Sequence, residues 1–284
     1  MRIVLMAVDD EFAGEMQRHL YETRPDSIVG SVISACPIYK HSKIGGAVFV
    51  LRKSGLSFLA TMIHVKIVRY FLDRQNRLLP SQLARSHGVE QFVSTNINDE
   101  ESVAKLRSWN PDLIISTNFS HYVGKTVRES IARYGCWNVH KSLLPQYRGM
   151  APSFHALLEA ASTVGATLHV MDKGFDTGDL LAQVEVPVTE VDSVYSLNRR
   201  TSQAGGKLLT SFLDHYDPRS TKASPQPGGG WKNYTYPTRS EIRAFRRKGL
   251  HFYKPYDEEK CTVGKAWQAW QGTRIHLKNR LTEG

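Results

Sequence analysis

The chain has 284 residues, 41% of them hydrophobic and 23% charged. That composition suits a folded globular protein rather than a disordered or fibrous one, and the length allows one large domain or one domain of roughly 200 residues with an appendage. The formal net charge of +10 favours anionic partners such as nucleic acid, phosphorylated metabolites, carboxylate-rich cofactors or an anionic membrane surface. Cys36, Cys136 and Cys261 are odd in number and lack metal-ligand spacing; they read as reduced thiols of a cytoplasmic protein. The opening MRIVLMAV reads as a strand, not a signal peptide. No run of about 18 uncharged apolar residues is present to span a membrane.

In chain order, residues 2–8 form an apolar strand, DDEFAG a loop and EMQRHLYET a helix. Residues 29–35 give a second strand. The segment 44–74 is very apolar but carries Arg52, Lys53, Lys66 and Arg69, and is interrupted by Gly55. It predicts one or two helices covered by the domain, by a second subunit in a homodimer, or by a membrane surface. A helix over 97–109 starts at Asn98 or Asp99. PDLIIST (111–117) is a buried parallel-type strand, 127–134 a helix and CWNVH (136–140) another strand. Strands alternating with helices indicate an α/β fold with a doubly wound, largely parallel sheet.

After a loop and the helix SFHALLEA come two extended stretches, 165–172 and 179–188, joined by the turn KGFDTG (173–178). Residues 193–216 read as a long helix. The Pro/Ser/Gly-rich stretch 217–230 reads as a linker, and 231–284 as a small C-terminal extension. The expected organisation is a catalytic domain over 1–216 with a helical insertion near 44–74, the linker, and the extension.

The strongest chemical signal is NVHKSLLPQYRG (138–149) followed by GFDTGD (174–179). A strand ending in Asn-x-His points both side chains to one face. An amide and an imidazole can together stabilise one developing oxyanion. A carboxylate on a glycine-flanked loop can then set the charge on that imidazole and accept a proton. Such equipment supports acyl transfer with no covalent enzyme intermediate. Each residue alone has a plainer reading: Asn138 a turn former, His140 a satisfied core histidine, Asp176 an ordinary turn aspartate.

The strings NVHKSLLPQYRGMAP and GATLHVMDKGFDTGDLLAQ resemble the signature of the folate-dependent formyltransferases, over roughly residues 75–216 and loosely the first strand. Members of that family act on amines of transfer RNA, of glycinamide ribonucleotide and of nucleotide sugars. The resemblance implies a Rossmann-like formyltransferase fold, 10-formyltetrahydrofolate as formyl donor, no metal, and Asn138, His140 and Asp176 as catalytic residues. It implies folate binding along Asn118, Phe119, Ser120, His121, Tyr122 and Val123, with Asp172 nearby. Thr167, His169, Arg148 and Gly149 fall at supporting or substrate-side positions. Protonated His140, kept charged by Asp176, is the expected oxyanion partner.

Two departures bear on the acceptor. Members acting on glycinamide ribonucleotide carry a Gly-rich phosphate loop after the first strand; here that place reads AVDDEFAG, with two acids. The transfer-RNA-acting members have a C-terminal barrel of roughly a hundred residues, more than follows position 216 here. The preferred acceptor is therefore an amino sugar on a carrier or another small amine. Methionyl-transfer-RNA formylation, hydrolysis of formyltetrahydrofolate, and non-catalytic RNA binding by the basic tail are the alternatives.

Overall fold

The computed structural model describes residues 1–36, 38, 41–72, 78–254 and 257. The sequence readings on 73–77 and on 258–284, with Cys261, Trp267 and Trp270, lie outside the described residues. A seven-stranded sheet forms the centre. Its strands are β1 (Ile3–Val8), β2 (Ile28–Ser34), β3 (Gln91–Ser94), β4 (Leu113–Thr117), β5 (Cys136–His140), β7 (Thr163–Val170) and β8 (Leu180–Pro187), in spatial order β3-β2-β1-β4-β5-β7-β8. The first five run parallel, while β7 is antiparallel to both β5 and β8. A short turn joins β7 to β8, and a short connection can only return a strand antiparallel.

Helices cover both faces. One layer holds α1 (Glu11–Thr23), α4 (Pro80–Ser86), α7 (Pro152–Leu158) and α8 (Val194–Asp214), packed on Ile3, Leu5, Ile115, Val139 and Leu168. The other holds α5 (Glu100–Ser108) and α6 (Lys125–Ser130), packed on Val4, Met6, Ile114 and Cys136. Helix starts carry the expected caps: Asp10 accepts from Ala13 N at 2.8 Å and Asp99 from Ser102 N at 2.8 Å. The chain leaves β1 toward one edge of the sheet and β4 toward the other. The crevice between their carboxyl ends is where such sheets place ligands. It is spanned by Asn118 Nδ2, which donates to Asp10 Oδ2 at 2.6 Å.

The 44–74 segment is helical as far as it is described: α2 (Lys43–Ser54) and α3 (Leu56–Leu72) meet at Gly55, whose φ of 90° needs a glycine. Its cover is one-sided. Val50 and Phe58 are buried, and Phe49, Leu59 and Met62 pack on the main core. The opposite side stays open, with Ile44 80% and Leu56 70% exposed.

The covering partner is the C-terminal extension. Its helix α9 (Arg239–Arg247) is closed by a Thr238–Glu241 capping box. Ser54 Oγ donates to Pro237 O at 2.6 Å, and Phe58 meets Phe252 edge-on at 5.0 Å. Phe245 and Phe252 also stack on Phe154 of α7, at 4.7 and 5.7 Å. Ile242, Phe245 and Phe252 of the extension thus pack on the main core and its insertion, while Trp231 stays exposed.

The stretch read as a linker is likewise tied down. Leu180 N donates to Ser224 O at 2.7 Å and Ser224 N to Leu180 O at 2.8 Å, extending the sheet edge. A two-residue parallel pair then joins β6 (Arg148–Gly149) to β9 (Asn233–Tyr234). The linker reading rested on Pro and Gly content, which identifies irregular backbone but not whether its hydrogen bonds go to water or to protein.

Candidate active site

Register builds the site. Antiparallel pairing sets Asn138 opposite His169 and His140 opposite Thr167. The four side chains therefore stand on one face, at the carboxyl end of β5. The turn after β7 swings back, and its Asp176 carboxylate enters between the two histidines. Asp176 Oδ2 lies 3.5 Å from His140 Nδ1, and Oδ1 lies 3.6 Å from His169 Nε2. Gly149 N donates to Asp176 Oδ2 at 2.9 Å, and Asn138 Nδ2 reaches Oδ1 at 3.4 Å. Asp176 sits at φ 54°, a left-handed conformation that a non-glycine residue holds at a cost of about 1–3 kcal/mol. The hydrogen bonds to its carboxylate help to offset that strain.

Each polar neighbour has a defined task. His169 Nδ1 lies 2.9 Å from Val170 O, which requires Nδ1–H, and Nε2 stands 3.1 Å from Asn138 Nδ2 and 3.6 Å from Asp176 Oδ1, so the ring sits against both groups. Thr167 Oγ1 donates to Ser142 O at 2.6 Å and accepts from Leu144 N at 3.0 Å, holding the loop after β5. Gln183 Nε2 braces the same loop through Leu144 O at 2.9 Å. That loop delivers the Tyr147 carbonyl to His140 Nε2 at 3.0 Å.

The electrostatics are divided. Burial works to raise the Asp176 carboxyl, but His140, His169 and the Gly149 N–H outweigh it and hold it well below the ordinary carboxylate range. Asp176 is ionised at neutral pH. Burial pulls His140 below the usual imidazole value, with Asp176 and the Tyr147 carbonyl opposing. The resting imidazole is therefore neutral, where the sequence suggested a charged one. Desolvation of the strand end, which the sequence does not display, makes the difference. With Nε2–H committed to Tyr147 O, a proton arriving at Nδ1 is held against Asp176.

His121 and His155 are also lowered by burial. The sign follows from linkage: a histidine with a depressed folded pKa contributes stability that is full above the unfolded value near 6.5 and is lost as pH falls through the folded value. The urea midpoint is expected to fall between about pH 7.5 and 5.5, and His140→Gln to flatten part of that fall. The raised carboxyls of Asp10 and Asp257 act in the opposite sense. A parent whose midpoint rises on acidification through this window contradicts the account.

The proposed folate-side residues lie at the mouth of the crevice. Asn118 is at φ 56°. Ser120 Oγ meets Ser34 Oγ at 2.6 Å, and His121 Nε2 meets Ser34 Oγ at 2.9 Å, so Ser34 is a supporting residue the sequence did not single out. Val123 is buried in the core and offers only its backbone. Asp172 holds the turn instead, accepting from Gly174 N at 3.0 Å and Thr177 Oγ1 at 2.7 Å. Phe119, Tyr122 and exposed Phe175 supply aromatic surface between the two loops, and Tyr122 OH donates to Lys173 O at 3.2 Å. No cluster of three or more metal-ligating side chains occurs among the described residues.

Gln226 was invisible in the sequence because it lies in the Pro/Gly-rich stretch. Its Nε2 donates to Asp176 O at 2.9 Å and Gly178 O at 2.8 Å, and its Oε1 accepts from Arg148 Nε at 3.1 Å. Arg148 thus supports the Asp176 turn through Gln226. Gln226→Ala is expected to lower kcat about tenfold, in the range lost when a remote change misplaces a reacting group, with little change in the KM for folate. A change in KM alone contradicts the role.

An open sheet carrying an amide, an imidazole and a carboxylate together at its carboxyl edge offers the groups that acyl transfer uses. A family profile described as formyl transferase matches residues 51–213. The chain is 31% identical to a methionyl-tRNA formyltransferase of Geobacillus sp. (strain WCH70) over 227 residues, covering 74% of this chain and 70% of that protein. A second such enzyme, from Geobacillus thermodenitrificans, is 31% identical over 74% of this chain and 69% of its own length. A phosphoribosylglycinamide formyltransferase structure from Anaplasma phagocytophilum superposes with a TM-score of 0.55 at 16% identity, over 81% of this chain and 97% of that one. An N-formyltransferase from Helicobacter canadensis, in complex with folinic acid and dTDP-3-aminofucose, gives a TM-score of 0.54 at 15% identity, over 83% and 71%. The chain belongs to the formyl transferase family. It is a folate-dependent transferase whose one-carbon donor is formyltetrahydrofolate.

Proposed function

We propose that the chain transfers the formyl group of 10-formyltetrahydrofolate to an amine carried on a sugar or another small carrier, with Asn138, His140 and Asp176 as catalytic residues. The carrying observation is the convergence of an amide, an imidazole and a carboxylate within 3.1–3.6 Å of one another or of their shared partner His169. The folate, held along 118–123 with Asp172 stiffening the facing turn, supplies the formyl group. Asn138 turns the N–H of its long 3.4 Å contact with Asp176 to the formyl oxygen as negative charge develops there, an effect worth about 2.7–4 kcal/mol per donor in other enzymes. The attacking amine forms the new N–C bond and loses a proton to the His140–Asp176 unit. The leaving folate nitrogen takes a proton as the old C–N bond breaks, so no net proton is consumed.

The preference for an acceptor without a phosphate beside α1 rests on Asp10. Its carboxylate accepts from Ala13 N and Asn118 Nδ2, so that helix terminus already has an anion. Lys141 lies close enough for Asp10 to oppose the lowering of its pKa by burial, and it stands 5.0 Å over the Phe12 ring. A methionyl-tRNA acceptor is the second reading, favoured by the named activity of the 31%-identical relatives. The test is a panel of amino sugars on nucleotide carriers, small amines and methionyl-tRNA, followed by release of tetrahydrofolate. Release with methionyl-tRNA alone selects the second reading. Release with water alone, at the same rate whatever amine is added, defeats both.

A further inference from the structure

The open side of the α2–α3 hairpin is built as two regular stripes. On α2, Ile44, Ala47, Val48 and Leu51 recur at helical spacing, and on α3 so do Leu56, Ala60, Ile63 and Ile67; all are exposed. Exposed apolar side chains in such number are uncommon on soluble monomers unless something covers them. The charges identify what does. Residues 43–72 contain Lys43, Arg52, Lys53, Lys66 and Arg69 and no Asp or Glu, and Arg52 and Lys66 are exposed beside the stripes. On α9, which packs along the hairpin through Arg239 to Leu51 O and Arg246 to Ser57 O, Arg243 and Arg247 are exposed as well.

A second copy of the chain fits poorly. A twofold interface sets a patch against itself, and here that would oppose cations to cations with no carboxylate in the hairpin to pair them. A bilayer rich in anionic lipid accepts both features, since apolar side chains enter the headgroup boundary while Lys and Arg meet lipid phosphates. Insertion across the bilayer is not required, and no helix among the described residues is long and apolar enough for it.

We propose that the α2–α3 hairpin docks the enzyme on an anionic phospholipid surface. The covered side of α2, opposite the docking face, is what connects to the chemistry. Phe49 meets Tyr236 edge-on at 5.9 Å, and Lys53 Nζ donates to Thr235 Oγ1 at 2.7 Å. These residues directly follow β9, whose Tyr234 carbonyl accepts from Met150 N, beside the Gly149 that holds Asp176.

The experiment is co-sedimentation of the full chain with phosphatidylglycerol/phosphatidylcholine vesicles and with phosphatidylcholine vesicles. The parent is expected in the pellet with the first and in the supernatant with the second, with release at high salt. The variants Ile44→Asp/Ile63→Asp and Arg52→Glu/Lys66→Glu, all at exposed positions, are expected to lower the partition on the order of tenfold or more while keeping the parent's circular dichroism and folate affinity. Three outcomes overturn the proposal: a parent that stays in solution with anionic vesicles, equal binding to both vesicle types, or a dimer in sedimentation equilibrium that Ile63→Asp dissociates. Folate binding is read separately: its absence in the parent counts against formyl transfer and leaves the vesicle result standing.

Discussion

Asp176→Asn is expected to lower kcat on the order of a thousandfold, within the range ascribed to a positioned acid or base, with the fold and folate affinity retained. The substitution keeps the shape of the side chain, and its remaining carbonyl oxygen can still accept from Gly149 N. What disappears is the negative charge between His140 and His169. Burial already disfavours the imidazolium of His140, and Asp176 is the largest opposing influence. With the charge gone, the carboxylate can no longer accept the amine's proton, and an imidazolium formed at His140 loses the counter-charge that offsets its burial. Single-turnover formyl transfer separates this chemical defect from slow product release. A variant within about tenfold of the parent would remove Asp176 from proton transfer.

The second large effect concerns a residue that carries no functional group. Gly178→Ala is expected to destabilise the protein by about 1–3 kcal/mol, the usual cost of overfilling a packed site, and to reduce activity with it. A Cβ on Gly178 would stand 1.8 Å from Val170 O. That oxygen belongs to the end of β7, where Val170 N also donates to Asp179 O at 2.9 Å. The obstruction is therefore backbone in a ladder, not a side chain that can turn away. Relief must come from the turn, which would carry the Asp176 carboxylate away from Gly149. Urea denaturation measures the stability term. An unchanged midpoint together with parental kcat would show that the turn absorbs a methyl group freely.

These two residues show how far the sequence could be read. Strand β5 ends in Asn-x-His at the predicted place, and alternation alone put both side chains on one face. The GFDTG turn was recognisable as a turn, but its backbone was not. The left-handed residue is Asp176 rather than either glycine, and Gly178 is required for close approach, not for φ. Partner geometry of this kind is set by strands distant in the chain. The neutral state of resting His140 was hidden for the same reason, since burial belongs to the assembled sheet. The roles of Gln226 and Ser34 depend on hydrogen bonds across 50 to 86 positions, and no local pattern announces such partners. The insertion was legible as helical from its apolar content. Its single covered face could not be inferred, because the cover comes from the extension.

The parallel pair between Arg148–Gly149 and Asn233–Tyr234 is only two residues long, yet it decides where a useful fragment could end. The family profile stops at residue 213, and a gene trimmed there would encode every residue of the Asn–His–Asp set. It would also discard Gln226, the strand that braces Gly149, and the aromatic rings that seal α7 and the hairpin. Such a fragment would keep the reacting groups and their near partners Gly149, Thr167, His169 and Gln183 but lose the outer brace that holds the Asp176 turn. For anyone cutting or grafting this chain, the working unit extends past the profile's end at residue 213 to at least Phe252, which reaches its partners Phe58 and Phe154.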